Sequence, residues 1–152
     1  MIRAVMGAGP RTGTSWTMHR LAKAGLPVHH SESLSAIMPP EGNPQGYYEC
    51  YPADLLNYEN TIAKVWPITA QPAIIEKMVV LYRDRTTQLA SIERQLTRER
   101  TLLEAAGIDW TAEEHLDHSL LALEPLLGIP HLAIRTEELD ERISDITNYL
   151  RY

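Results

Sequence analysis

"GPRTGTSW", residues 9–16, follows the apolar run "IRAV" at 2–5 and precedes a stretch with helical spacing. Two glycines bracket an arginine, hydroxyl side chains cluster about the second glycine, and a tryptophan closes the segment. In a strand–loop–helix, the first helical N–H groups have no partner inside the helix and face the loop. The helix dipole adds positive potential there, so phosphate or sulfate is the natural guest. Gly13 lets the backbone approach an anion closely, Thr12, Thr14 and Ser15 offer hydroxyls, and Arg11 brings charge. The competing reading is a glycine turn with a serine or threonine N-cap and no ligand. The arginine beside the hydroxyl cluster favours the anion.

Outward from this loop, strands and helices alternate. "IRAVM" (2–6) reads as a short buried strand, Gly7–Gly13 as loop, and Thr14 to Ala24 as a helix that stops at Gly25. "LPVHH" (26–30) is a second strand, and residues 39–46, "PPEGNPQG", are loop. "TIAKVW" (61–66) is β-rich, and "KMVVLYR" (77–83) has the continuous apolar character of a strand buried on both faces of a parallel sheet. Next comes a helix over 85–105, with Leu89, Ile92, Leu96 and Leu103 on one face. Thr111 and Glu114 form a capping box for a helix ending near Leu127, "HLAIRT" (131–136) is a further strand, and an amphipathic helix follows it. This alternation predicts one α/β domain over 1–152 with a mostly parallel central sheet and three layers.

Bulk properties narrow the function classes. The chain has 152 residues, 44% of them hydrophobic and 22% charged, with no Phe, and is expected to be an ordinary globular domain. No apolar run approaches the roughly 18 residues of a membrane span, and "MIRAVMGAG" is too short for a signal peptide. A net charge of −6 argues against nonspecific nucleic-acid binding. Cys50 is the one cysteine, suiting a reducing, cytoplasmic setting and reading most simply as a small buried hydrophobe. His115, His118 and His131 lack metal-ligand spacing with one another or with Cys50, so no metal is expected. An apolar face on the last helix leaves a homodimer open.

A nucleoside triphosphate is a poor fit to the loop. The pattern G-x-x-x-x-G-K-[ST] would put its first glycine at Ala8 and its lysine at Thr14, so only Gly13 and Ser15 agree. A second segment supplies an independent clue. "LYRDRTTQLAS" places Arg83 at the carboxyl end of the strongest strand, where open α/β sheets bind ligands, and Ser91 on the next helix. Helical geometry sets Ser91 beside Thr87 and Arg94, away from the apolar face, free to meet a ligand or to be solvated.

"GPRTGTSW" resembles the 5′-phosphosulfate loop of sulfotransferases that use 3′-phosphoadenosine 5′-phosphosulfate (PAPS), written Pro-Lys/Arg-Ser/Thr-Gly-Thr-Ser/Thr-Trp; Pro10 through Trp16 match at every position. The resemblance implies the P-loop-type fold of that family, with Arg11, Thr12, Gly13, Thr14 and Ser15 on the 5′-phosphosulfate and Trp16 near the adenine. It also implies that Arg83 and Ser91, at the family's spacing of eight, hold the 3′-phosphate. "GNPQGYYE" and "HLAIRTEEL" are similar to further family segments, with Thr136 replacing the usual tyrosine. "AKVWP" lies where many cytosolic members have Lys-Thr-His-x-Pro. The chain has no counterpart of the basic, Gly-rich C-terminal loop of the longer members, which implies a more open cofactor site, one completed by another subunit, or a loss of activity.

Sulfuryl transfer requires positive charge on the sulfuryl oxygens and leaving phosphate, and a base for the acceptor's proton. Arg11 is the candidate for the charge, and Lys64 either assists or is an ordinary strand lysine. Trp66 stands where many members carry their histidine base, so Glu49 is the candidate base, followed by His29 and His30. The segment 30–48, with Met38, Tyr47 and Tyr48, is a candidate lid or substrate wall unless core packing claims those side chains. The expected activity is transfer from PAPS, leaving 3′,5′-adenosine diphosphate, to a hydroxyl or amine of a small-molecule or glycan acceptor. The alternatives are a P-loop nucleotide kinase or hydrolase, and a nucleotide-binding protein of the same fold without catalysis.

Overall fold

The structure, a computed structural model, describes residues 1–29, 47, 49–55 and 58–151. Its strands are β1 (Ile2–Gly7), β2 (Val28–His29), β3 (Ile62–Lys64), β4 (Ile75–Tyr82) and β5 (His131–Arg135). Its helices are α1 (Thr14–Lys23), α2 (Pro52–Leu55), α3 (Arg85–Arg98), α4 (Arg100–Ala105), α5 (Ala112–Leu123) and α6 (Leu139–Leu150). All strand pairs are parallel, in the order β2-β3-β1-β4-β5. The α/β expectation is met with a sheet that is parallel throughout.

β1 is central because every one of its residues is buried, leaving no face for solvent. β4 is likewise apolar on both faces, and its register runs from Arg3 opposite Lys77 to Gly7 opposite Leu81. From β1 the chain crosses through α1 toward β2; from β4 it crosses through α3–α5 the other way, toward β5. Parallel connections are right-handed, so opposite crossovers put their helices on opposite faces of the sheet. Two apolar layers record this. Val5, Val79 and Leu81 pack with Met18 and Leu21 of α1 and with Ile146 and Leu150 of α6. Ala4, Met6, Met78 and Val80 pack with Leu123 of α5. The apolar face of α6 is therefore a core face. The carboxyl ends of β1 and β4 lie side by side where the two chain directions diverge, the place where such sheets hold ligands.

Several boundaries differ from the sequence reading. β4 begins at Ile75, two residues before the expected start, because Ile75 is buried opposite Ile2. β2 covers only Val28–His29, and the rest of the expected strand includes His30, outside the described residues. The expected helix over 85–105 breaks at Glu99, which has φ −96°. Hydrogen bonds continue on either side, from Glu99 N–H to the Gln95 carbonyl and from Leu103 N–H to the Glu99 carbonyl. The apolar spacing thus runs through the break and hides it in the sequence. Asp84 caps α3 by accepting from the Thr87 N–H, and Thr111 caps α5 by accepting from the Glu114 N–H, as the capping-box reading expects. No helix among the described residues is long and apolar enough to cross a membrane.

Arg3 is the exception within β1: a charged side chain 1% exposed. Its guanidinium donates to the carbonyls of Leu150 and Asn60, joining the first strand to the last helix. The Leu150 carbonyl ends α6, where the helix dipole is negative, so the cation is favourable there. Replacing Arg3 with Met keeps the bulk and strands those carbonyls. An Arg3→Met variant is expected to lose about 3 kcal/mol of stability, read as a lowered urea midpoint with an unchanged slope.

Candidate anion-binding site

The loop between β1 and α1 is wound tightly. Gly9, Arg11 and Gly13 have φ of 86°, 64° and 90°, so every second residue is left-handed. Such alternation curls successive N–H groups into a concavity that suits an anion. Gly9 is required as well by space: a Cβ there would lie 2.3 Å from Leu116 Cδ1 and 2.8 Å from Gln88 Nε2. Arg11 takes up the left-handed conformation with a full side chain, which costs about 1 kcal/mol.

Side chains from later in the chain repay that cost by capturing the loop's carbonyls. Gln88 Nε2 donates to the carbonyls of Ala8 at 2.9 Å and Pro10 at 2.8 Å. Arg83 Nη1 donates to the Arg11 carbonyl at 2.7 Å, and Thr136 Oγ1 to the Thr12 carbonyl at 2.7 Å. In a trans peptide the N–H of the next residue points opposite to the carbonyl, and no cis bond occurs among the described residues. The amides of Gly9, Arg11, Thr12 and Gly13 therefore point away from these donors. α1 begins at Thr14 with Gly13 as its N-cap residue and no side-chain cap, so the serine or threonine cap of the ligand-free reading is not there.

The predicted residues divide into three groups. Arg11, Arg83 and Ser91 come together: the Arg11 Nε–H donates to Ser91 Oγ at 3.1 Å across 80 residues of chain. Ser91 is 4% exposed, which sets aside the solvated reading, and it anchors the Arg11 guanidinium. Ser15 and Lys64 form a second group. Lys64 Nζ, from the end of β3, donates to Ser15 Oγ at 2.9 Å and to the Tyr47 carbonyl at 3.1 Å, and lies 3.4 Å from Glu49 Oε1. At 7% exposure Lys64 is no surface lysine.

The remaining residues make separate contacts. The Thr12 side chain is buried and turned in against Gly7, its hydroxyl without a hydrogen-bond partner among the described residues, so it offers the concavity its backbone N–H rather than its side chain. Trp16 packs on the α1–α6 side of the sheet under the Arg20 guanidinium, 5.2 Å from the ring centre. The His29 ring packs on Tyr58 at 4.2 Å on the outer strand. Thr14 is half-buried at the first position of α1. Cys50 is buried, with its N–H on the Lys64 carbonyl, in keeping with the small-hydrophobe reading. Met38, Tyr48 and His30, and with them most of the candidate lid, lie outside the described residues.

Sequence reasoning missed several members. Gln88 and Thr136 shape the loop, yet each is an ordinary polar residue whose contact appears only when β4, β5 and β1 are side by side. Arg94 and Arg98 sit three and seven residues beyond Ser91, a spacing that puts them on its side of α3 and was legible. Burial lowers the Arg11 pKa, and the fields of Arg98, Arg83 and Arg94 lower it further against the opposing field of Glu99. These guanidinium groups repel one another across the loop. Burial raises the Glu99 carboxyl, the Gln95 hydrogen bond opposes this, and the field of Glu49 adds to it. Among the described residues no three His, Cys, Asp or Glu side chains are grouped as a metal site.

His115 carries no signal in the sequence beyond its lack of metal-ligand spacing. Its ring stacks on Trp66 at 5.7 Å with 26° between planes, and burial pushes it from 6.5 to about 4 against the opposing field of Glu49. Against known proteins, the chain matches no family model and no curated protein.

The His115 shift has a measurable consequence. Between pH 6.5 and about 4 the unfolded chain binds a proton at this position that the folded chain refuses. Stability therefore falls as pH is lowered through that window. A His115→Phe variant keeps a ring against Trp66 and is expected to flatten the fall, measured as urea midpoints at half-unit steps of pH.

Proposed function

We propose that the chain is a sulfotransferase that moves a sulfuryl group from PAPS to a hydroxyl or amine. The observation that carries this reading is the junction of Arg11 with Ser91 and Arg83, which unites the two segments that resemble opposite ends of one cofactor site. The donor set suits such a ligand: amides at the start of an uncapped helix, a buried lysine beside them, and a group of arginines a few residues along α3. The donor supplies an activated sulfuryl group on a phosphate that leaves with the electron pair.

The protein's own part follows from its side chains. The amides of Gly13, Thr14 and Ser15 hold the anion in place at the positive end of α1. Arg11 stays protonated and stabilises charge on the leaving phosphate without donating a proton. Lys64, held by Ser15 and the Tyr47 carbonyl, faces the same anion from β3. Glu49 takes the acceptor's proton as the acceptor's oxygen or nitrogen bonds to sulfur. Its ion pair with Lys64 fixes the carboxylate beside the loop. Arg83 and Ser91 grip the 3′-phosphate, and Arg94 and Arg98 add positive field to that end.

Calorimetric titration tests the reading. Wild-type protein is expected to bind 3′,5′-adenosine diphosphate more tightly than ATP with Mg²⁺. Arg83→Ala is expected to weaken the bisphosphate by about ten- to a hundred-fold, the worth of one hydrogen bond to a charged group. Tighter binding of ATP, or an unchanged affinity in Arg83→Ala, overturns the assignment. In a sulfate-transfer assay, Glu49→Gln is expected to lower kcat at least ~100-fold while the bisphosphate still binds, the size of a general-base contribution.

A further inference from the structure

Ser91, Gln95 and Glu99 follow one another at intervals of four along α3, so they form one polar stripe about a helical turn apart. The stripe starts at the loop between β1 and α1, where Ser91 Oγ accepts from Arg11 Nε at 3.1 Å. It ends in a carboxyl group. Glu99 is half-buried at the break between α3 and α4, and Gln95 Nε2 donates to its Oε1 at 3.3 Å. Gln95 Oε1 is buried and has no hydrogen-bond partner among the described residues. The amide thus gives its donor to the carboxylate while its own oxygen goes unmatched.

A carboxylate at this place competes with any anion bound by the arginines. Burial opposes the charge on Glu99, and Glu49, ahead of α2, repels it. The Gln95 hydrogen bond, Arg98 of α3 and Arg11 of the loop favour it. In return, the field of Glu99 supports the charge on Arg11, which burial and the fields of Arg98, Arg83 and Arg94 oppose. Glu99 is therefore a resident counter-charge for guanidinium groups of the anion site.

We propose that Glu99 is a built-in competitor of the bound anion, so that the arginine group takes up a phosphate or sulfate together with a proton on the Glu99 carboxyl group. This role rests on the anion site of the proposed function and on no step of the transfer. An incoming dianion adds a second negative group to the site, and two like charges held together are relieved when one is neutralised. The proton comes from solvent and bonds to a carboxyl oxygen of Glu99; no other bond forms or breaks. Gln95 suits both states. Its N–H bonds the carboxylate, and after a half-turn of the amide its unmatched oxygen accepts from the carboxylic O–H. Burial lifts the Glu99 carboxyl group above its ordinary value, which shortens the step to the neutral form.

Inorganic sulfate is the probe, because it stays doubly charged where phosphate gains a proton. Calorimetric titrations of wild type, Glu99→Gln and Glu93→Gln are run in steps from about pH 8 to about pH 5. Glu99→Gln keeps an oxygen for Gln95 and is neutral at every pH, whereas Glu93→Gln removes an exposed charge from the same helix. At the upper end Glu99→Gln is expected to bind sulfate about ten-fold more tightly than wild type, the size of one like-charge repulsion removed. Glu93→Gln is expected to change the affinity less than about two-fold, as an exposed, solvent-screened charge does. A group that gains a proton on binding tightens the complex as pH falls, so wild type closes the gap toward the lower end. Histidines gain charge over the same range in both proteins, and the difference between the two curves removes their part. Equal affinities at the upper end, a gap that stays constant with pH, or the same gain in Glu93→Gln overturns the role of Glu99 and leaves the anion site standing. Sulfate bound by neither wild type nor Glu99→Gln at any pH overturns the anion site as well.

Discussion

The carbonyls of Ala8, Pro10, Arg11 and Thr12 are all held by side chains that arrive from elsewhere in the chain, and the site depends on that capture. A loop with alternate left-handed residues is strained at Arg11 and has many backbone conformations open to it in the unfolded chain. Four hydrogen bonds at about 1 kcal/mol each are enough to select one of them. Because each peptide is trans, fixing the carbonyls on one side fixes the amides on the other. The direction of the loop's amides is therefore set by Gln88, Arg83 and Thr136.

The electrostatics follow from the same packing. Gln88 and Arg83 bring α3 against the loop, and α3 brings Ser91, Arg94 and Arg98 toward Arg11. Burial and the neighbouring guanidinium groups both work against the charge on Arg11. Glu99, turned out of the helical run at the break between α3 and α4, offsets part of that repulsion. The remainder favours any anion that can sit between the arginines and the start of α1. On the opposite side of the loop, Lys64 is satisfied by Ser15, Tyr47 and Glu49. One wall is thus charged in excess and the other is neutralised, an asymmetry suited to a ligand with an anionic end and a reacting end.

The strand order explains why these walls meet at all. β1 and β4 are neighbours whose following segments leave toward opposite faces of the sheet, opening a crevice above their carboxyl ends. β3 lies on the other flank of β1 and delivers Lys64 and then Trp66 to the same end. β5, beside β4, delivers Thr136. The crossover through α3 to α5 places His115 and Ser119 against Trp66, so these contacts come from the long connection rather than from the sheet.

Much of the fold was legible because it is written in local patterns. The apolar runs at 2–6 and 77–83, the helical spacing after Thr14, and the cap at Thr111 each depend on neighbours in sequence. Arg11, Arg83 and Ser91 could be named because a recurring motif fixes their spacing, and Lys64 because it ends a predicted strand where the resembled family has a lysine. What the chain alone could not yield were relations between distant residues: the break at Glu99 behind an unbroken apolar stripe, the inward turn of Thr12, the carbonyl grip of Gln88 and Thr136, and the stacking of His115 on Trp66. Local chemistry determined which segment could receive an anion. Only the packed sheet decided which side chains shape it, because a carbonyl or a ring face has no partner until strands far apart in sequence lie side by side.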